Sequence, residues 1–245
     1  MRSSVALVAV AFAFLSACSS TGGGPRTPLE RIDRALAETA NPGEVVAAEI
    51  AFMQAVEREG YERAVRDFAV SSTAVLRRET PSGMEAARGG ERVAAQRQPR
   101  DVWMSCDGSL AVSAGRTSQN GFVGDFATVW QRERRGEYLW SYSLELLDDP
   151  QPVPEPATEP DEDVIVVTDF PSISGEVADC LAEGAAPADV LGAGAPAAAT
   201  LSGRSRDGTL RWYQIDGARD APTFAAFIWR DGRWEEALRL GSMRD

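Results

Sequence analysis

Three thiols, Cys18, Cys106 and Cys180, are the side chains of this 245-residue chain best suited to covalent chemistry. Cys18 follows the small residues Ser16 and Ala17 at the end of an apolar run, a setting for terminal processing rather than for a core. Cys106 and Cys180 lie in the body of the chain and form an even pair. In an exported protein such a pair suggests a disulfide; the alternative is two buried thiols acting as small apolar residues. The chain has no His, and all 25 of its basic residues are Arg. This excludes Ser-His-Asp and Cys-His sites, His-ligated zinc, a Lys Schiff base and a phosphate-loop lysine. General acid–base work would fall to Asp, Glu, Tyr or Cys. A GC-rich genome that favours Arg codons accounts for the missing Lys. No cluster has metal-ligand spacing, and no cofactor is expected.

The elements around Cys18 assign its chemistry. Arg2 gives a positive start, and Val5 to Leu15 is an unbroken apolar run of eleven residues. That is about half of the roughly 20 needed to span a bilayer. A charged start, a short apolar run and small residues at its end make a secretory signal peptide over residues 1–17. Leu15-Ser16-Ala17-Cys18 resembles the lipobox of bacterial lipoproteins. The resemblance implies diacylglycerol on the Cys18 sulfur, cleavage before Cys18 and acylation (palmitate is the common chain) of the new amine. Two or more chains hold firmly where one is marginal. Ser19, rather than Asp, implies the outer membrane in the enterobacterial sorting pattern, with the protein facing the periplasm. The alternative is an ordinary signal peptide with a chance cysteine.

The net charge of −12 argues against a nucleic-acid partner, because such affinity rests on neutralising phosphates. It also gives the body no attraction to anionic lipid, so membrane contact falls to the anchor.

Residues 18–27 read as a Ser/Gly/Pro tether. Thr27-Pro28-Leu29-Glu30 then predicts a capped helix running to about Thr39. A second helix is expected over Glu44 to Glu59, where Val45, Ala48, Phe52, Ala55 and Val56 recur at helical spacing. A third runs from Tyr61 to Phe68. Strands follow at residues 74–76, 102–105, 109–118, 122–133 and 138–147, and residues 84–96 have some helical character. The turns Asp107-Gly108, Asn120-Gly121 and Arg135-Gly136 are hairpin signals. Alternation places Leu110, Val112, Ala114 and Arg116 on one strand face, and Tyr138, Trp140, Tyr142 and Leu144 on another.

These motifs carry a family resemblance. Asp107-Gly108-Ser109-Leu110-Ala111-Val112-Ser113-Ala114-Gly115 and Phe126-Ala127-Thr128-Val129-Trp130-Gln131-Arg132 through Trp140, with the helix–glycine–helix over Glu49 to Phe68, resemble the nuclear transport factor 2-like superfamily. The likeness is to its SnoaL-like and ketosteroid-isomerase-like bacterial branch. It spans Leu29 to Asp148. It implies an α+β fold: a cone-shaped, curved antiparallel sheet wrapping three N-terminal helices around an apolar cavity, often in a homodimer. Isomerases of that fold use a carboxylate base and a Tyr/Asp oxyanion pair; no residue here matches those positions, so no catalytic residue is carried over. Trp103, Arg116, Trp130, Trp140 and Tyr142 are candidate pocket-lining residues. The aromatics read more simply as core, and Arg116 as the partner of Asp125 on the next strand.

The domain at residues 28–148 is followed at 149–163 by an acidic linker holding Pro150, Pro152, Pro154, Pro156 and Pro160, which favours extended polyproline II. Residues 164–245 form a small β-meander. Strands are expected at 164–167, 200–205, 209–215, 223–230 and 233–240, with strong turns at Asp207-Gly208 and Asp231-Gly232. The module is small for an independent core, so it is expected to pack on the preceding domain. No internal repeat is read across the halves. The expected function is a membrane-anchored envelope lipoprotein that binds a small apolar ligand or a partner protein without catalysis. The alternative is a ketosteroid-isomerase or polyketide-cyclase-like enzyme using Asp, Glu or Tyr.

Overall fold

Asn41 and Pro42 open the first helix of the computed structural model, which describes residues 40–70, 74–80, 83–87, 96–119, 121–153, 172–182, 185, 187, 199–216 and 222–241. The Asn41 side chain accepts the Gly43 N–H at 3.0 Å, and Pro42 occupies the first turn of α1 (Pro42–Glu59), where its missing N–H costs nothing. Gly60, at φ 87°, ends α1 and leads into α2 (Tyr61–Phe68). The buried face of α1 carries Val45, Phe52, Ala55 and Val56, and with them a carboxylate, Glu49. Cys18, the tether and the helix expected over residues 28–39 lie outside the described residues, as do the expected strand at 164–167 and the linker beyond residue 153.

The strands form two sheets. In the first, β1 (Val75–Thr80) and β2 (Gly83–Ala87) make a hairpin. β3 (Gln96–Met104), β4 (Leu110–Gln119), β5 (Phe122–Arg132) and β6 (Tyr138–Leu147) make an antiparallel meander. With β7 (Ser174–Val177) they form a seven-stranded sheet in the order β2-β1-β6-β5-β4-β3-β7, where β1 runs parallel to β6 and β7 parallel to β3. The second sheet is the meander β8 (Ala199–Arg204), β9 (Leu210–Ile215), β10 (Thr223–Arg230) and β11 (Arg233–Leu240). All described residues belong to one unit, Ala37–Asp245.

The expected α+β cone is therefore corrected. The described residues are mostly strand, with two helices rather than three wrapped elements, and the larger sheet is mixed rather than antiparallel. The reason lies in β4 and β5, where consecutive residues, Leu110 to Ala114 and Phe126 to Trp130, are buried. Such strands are covered on both faces. The helices cover one face through Val45, Phe52, Ala64, Val102, Met104, Ala111, Trp130 and Trp140. The second sheet covers the other through Val112, Val129, Tyr142, Leu144, Leu210, Trp212, Phe224 and Ile228. Tyr142, Trp212 and Phe224 stack at the centre of that layer, with ring centroids 5.0–5.8 Å apart. Residues 84–87, expected to have helical character, pair as a strand instead.

A bulge corrects a second expectation. Val129 pairs with Tyr142 but Trp130 pairs with Trp140, so Ser141 is the extra residue. One inserted residue flips the alternation. Tyr138 and Trp140 consequently face the helices, whereas Tyr142 and Leu144 face the second sheet.

The second sheet also repeats the first, contrary to the reading of no repeat. Pairs Met104–Ala111, Trp103–Val112 and Asp101–Ala114 recur as Arg204–Arg211, Gly203–Trp212 and Leu201–Gln214, each shifted by one hundred positions. Both registers slip at the same point, between Pro99 and Asp101 and between Ala199 and Leu201. The connecting turns share Ser-x-Asp-Gly-Ser/Thr-Leu, at residues 105–110 and 205–210. In each, the serine hydroxyl donates to the Asp (2.8 and 2.6 Å), and the Asp accepts the N–H two residues on (2.9 and 3.0 Å). The turns then dock reciprocally. Cys106 N–H donates to Thr209 Oγ1 at 3.0 Å, and Arg206 N–H to Ser109 Oγ at 2.9 Å, as a local two-fold would give. Thr209 is buried, so Thr209→Val should lose about 1–2 kcal/mol by stranding the Cys106 N–H. Urea unfolding checks this, with Ser109→Ala as the symmetry-related control.

Candidate functional site

Between α1 and the first sheet, where an apolar cavity was expected, lies a buried charged box. Arg97, from the start of β3, and Glu145, from β6, have side chains only 3% exposed, Glu49 is fully buried, and Arg78 of β1 is 7% exposed. Arg97 Nε donates to Glu145 Oε1 at 2.9 Å and Arg97 Nη1 to Glu49 Oε1 at 3.2 Å. Arg78 binds the other oxygen of Glu145. Beneath them, Ser113, Thr128 and Ser143 form a row of hydroxyls directly opposite one another across β4, β5 and β6. Ser113 donates to Glu49 Oε2 at 2.8 Å and accepts the Trp130 indole N–H at 3.0 Å. Arg97 reaches Thr128 (3.2 Å) and Ser143 (2.9 Å), and its guanidinium lies 4.9 Å from the Phe126 ring centroid.

The electrostatics follow from this geometry. Burial pushes the Glu145 carboxyl up, but Arg97 and Arg78 outweigh it and hold the group below its ordinary value. Glu145 therefore stays ionised at neutral pH and has no proton to offer. Burial pushes the Tyr138 phenol up to about 12, and raises that of Tyr142 further. Neither is an acid–base group near neutrality. Tyr138 instead donates to the Gly108 carbonyl at 2.6 Å.

Outside the box opens a cleft of about 710 Å³. Met53 and Glu57 of α1, Gln96 to Gln98 of β3, Arg116 to Ser118 of β4, Val123 of β5 and Pro152 line it. Arg97 thus belongs to both box and cleft. Arg116 is clamped by Asp125 at 2.6 Å and by both oxygens of Asp148, with the contact to Oδ1 at 3.0 Å, and the Asp148 bond above all holds its guanidinium protonated. Thr117 is buried, and its hydroxyl has no hydrogen-bond partner among the described residues.

The sequence-derived candidates scatter across this architecture. Trp130, Trp140 and Tyr142 are core residues, and Trp103 packs against the layer between the sheets. Arg116 alone lines the cleft. Cys106 and Cys180 form a disulfide with a Cα–Cα distance of 5.1 Å. The box itself was missed. Its one signal was Glu49 within an apolar helical stripe, together with serine and threonine at the same depth of three successive strands. Among the described residues there is no cluster of metal-binding side chains, and no helix is long and apolar enough to cross a membrane. In comparisons with protein-family models and with curated proteins, the chain matches none.

Proposed function

We propose that the protein is a lipid-anchored component of the bacterial cell envelope, held through Cys18, that binds a ligand in the cleft beside the charged box and does no chemistry on it. The observation that carries the binding reading is the matching of buried charges. Glu145, a carboxylate of the buried box, is gripped by two arginines and kept ionised, whereas a cavity acid or base needs a proton equilibrium near the working pH. Leu15-Ser16-Ala17-Cys18 supports the anchor, and Ser19 the outer membrane.

Cys18→Ala should move the protein from the membrane to the soluble fraction. Retention in membranes would overturn the anchor. For the binding reading, the lipidated protein is purified from its native host and co-purifying small molecules are identified by mass spectrometry. A defined molecule released on denaturation, recovered chemically unchanged after incubation with fresh protein, supports it. Conversion of that molecule would replace binding with catalysis.

A further inference from the structure

We infer that the outer edge of β8 is a docking site for an extended segment of a partner protein, taken up as a strand parallel to β8 with an acidic side chain beside Arg204. This surface belongs to the second sheet and is separate from the cleft. The internal repeat carries the inference. β8 is the counterpart of β3 one hundred positions on, and in the first sheet the corresponding edge is taken: β7 lies parallel to β3, with Ser174 to Val177 opposite Asp101 to Met104. In the second sheet β8 is the last strand among the described residues, and every residue of it is exposed except half-buried Gly203. At equivalent positions Val102 and Met104 are buried, whereas Ser202 and Arg204 are exposed.

The phase of the hydrogen bonds shows what this edge offers. The Ser105 N–H donates to the Leu110 carbonyl and the Ser205 N–H to the Leu210 carbonyl, each at 2.9 Å. Bonded and non-bonded pairs alternate along an antiparallel ladder, so Val102 and Met104 turn their backbone groups away from β4. The Met104 carbonyl accordingly accepts the Ala178 N–H at 2.8 Å. By the same phase, Ser202 and Arg204 turn their N–H and C=O groups away from β9. Both strands carry a bulge just before this stretch, and β7 docks beyond it. The opposite edge of the second sheet, β11, carries Arg233, Glu235, Glu236 and Arg239, and charges of that kind oppose strand addition. β8 has one charge, Arg204, which makes no ion pair among the described residues. In strand addition the main chain supplies affinity and the side chains supply specificity. Paired residues of neighbouring strands share a face, so an incoming residue in the place of Val177 stands beside Arg204, where a carboxylate fits. One in the place of Ser174 stands beside exposed Leu201 and is apolar. A second copy pairing through its own β8 fits less well, because β8 has no acidic residue to set against Arg204.

The test uses the full mature chain carrying Cys18→Ala and a labelled heptapeptide, blocked at both ends, of alternating threonine and valine with glutamate in place of the third threonine. Binding is followed by fluorescence polarisation and backbone amide shifts. The expected result is saturable binding with shifts centred on residues 200–205, weakened at least threefold when the glutamate is glutamine and at least tenfold when it is lysine. Ser202→Pro removes an outward N–H and should abolish binding while moving the melting temperature by only a few degrees, because proline at such an edge position costs no ladder bond. Arg204→Glu should reverse the preference in favour of the lysine peptide, which keeps the test decisive if Ser202→Pro fails to fold. Absence of saturation, equal affinity for the glutamate and lysine peptides, undiminished binding to a folded Ser202→Pro, or shifts centred elsewhere would overturn the inference. So would self-association through residues 200–205 without peptide, which would make a second copy the occupant.

Discussion

Glu145→Ala should cost about 3–5 kcal/mol of folding stability, the magnitude associated with removing one partner of a buried ion pair. In a unit of this size that corresponds to a fall in melting temperature of roughly 6–20 °C. The cost is high because Glu145 serves two guanidinium groups, Arg78 and Arg97. After its removal Arg78 loses this buried partner, and Glu49 is left to balance Arg97. Removing a carboxylate that two buried guanidinium groups share is what makes the variant unstable, rather than the loss of one hydrogen bond. The sign of the pH dependence follows. The Glu145 carboxyl is held below its ordinary value of 4.5, so its contribution is complete above about that pH and is lost as pH falls through the lower folded-state value. Wild type and Glu145→Gln should therefore differ most near neutrality and converge in acid. Urea denaturation across pH checks both statements; a cost under about 1 kcal/mol for Glu145→Ala would refute the box as described.

The second large effect is expected from the disulfide. Cys106 and Cys180 are 74 positions apart, and the loop-closure model gives about 4 kcal/mol for a bridge of that span. A Cys106→Ala/Cys180→Ala variant should lose an amount in the range of about 2–5 kcal/mol, read from urea unfolding without reductant. The surrounding structure explains why the bridge sits there. After β7 the chain crosses from one sheet to the other. The Ala178 N–H donates to the Met104 carbonyl at 2.8 Å, and the Asp179 N–H to the Trp229 carbonyl at 2.9 Å. Glu176 pairs with Arg230 at 2.7 Å, and Asp179 accepts the Asp231 N–H at 2.7 Å. The bridge locks this strap onto the turn that docks against Thr209. Equal stability of wild type with and without reductant would contradict the estimate.

Local rules made part of this fold legible. α1 and α2 were readable from periodicity and from Asn41-Pro42 and Gly60, and the meander hairpins from Asp107-Gly108, Arg135-Gly136, Asp207-Gly208 and Asp231-Gly232. What escaped was set by distant partners. β7 is four residues, Ser-Gly-Glu-Val, with no hydrophobic pattern, and exists because β3 offers a free edge. The bulge at Ser141 leaves no mark in an alternating run of aromatics, yet it decides which face Tyr142 occupies. The candidate site was least legible. Arg97 stands in a polar stretch, and nothing local announces that its guanidinium is buried between two carboxylates. The repeated register was equally hidden, because hydrogen-bond pairing constrains the backbone and lets the side chains diverge outside the Ser-x-Asp-Gly turn.

That reciprocal docking of turns has a kinetic consequence. Each meander is built from hairpins between neighbours in the chain, contacts that close quickly. The bonds joining the two turns link residues about one hundred positions apart, 103 for Cys106 to Thr209 and 97 for Arg206 to Ser109. Such long closures are slow, and they reward the chain only after both ends are already shaped. The order this imposes is local meanders first and their mutual docking last. Until that last step, the apolar faces carrying Tyr142, Trp212 and Phe224 stand open to water, and the interval before docking is when the chain is most vulnerable to aggregation.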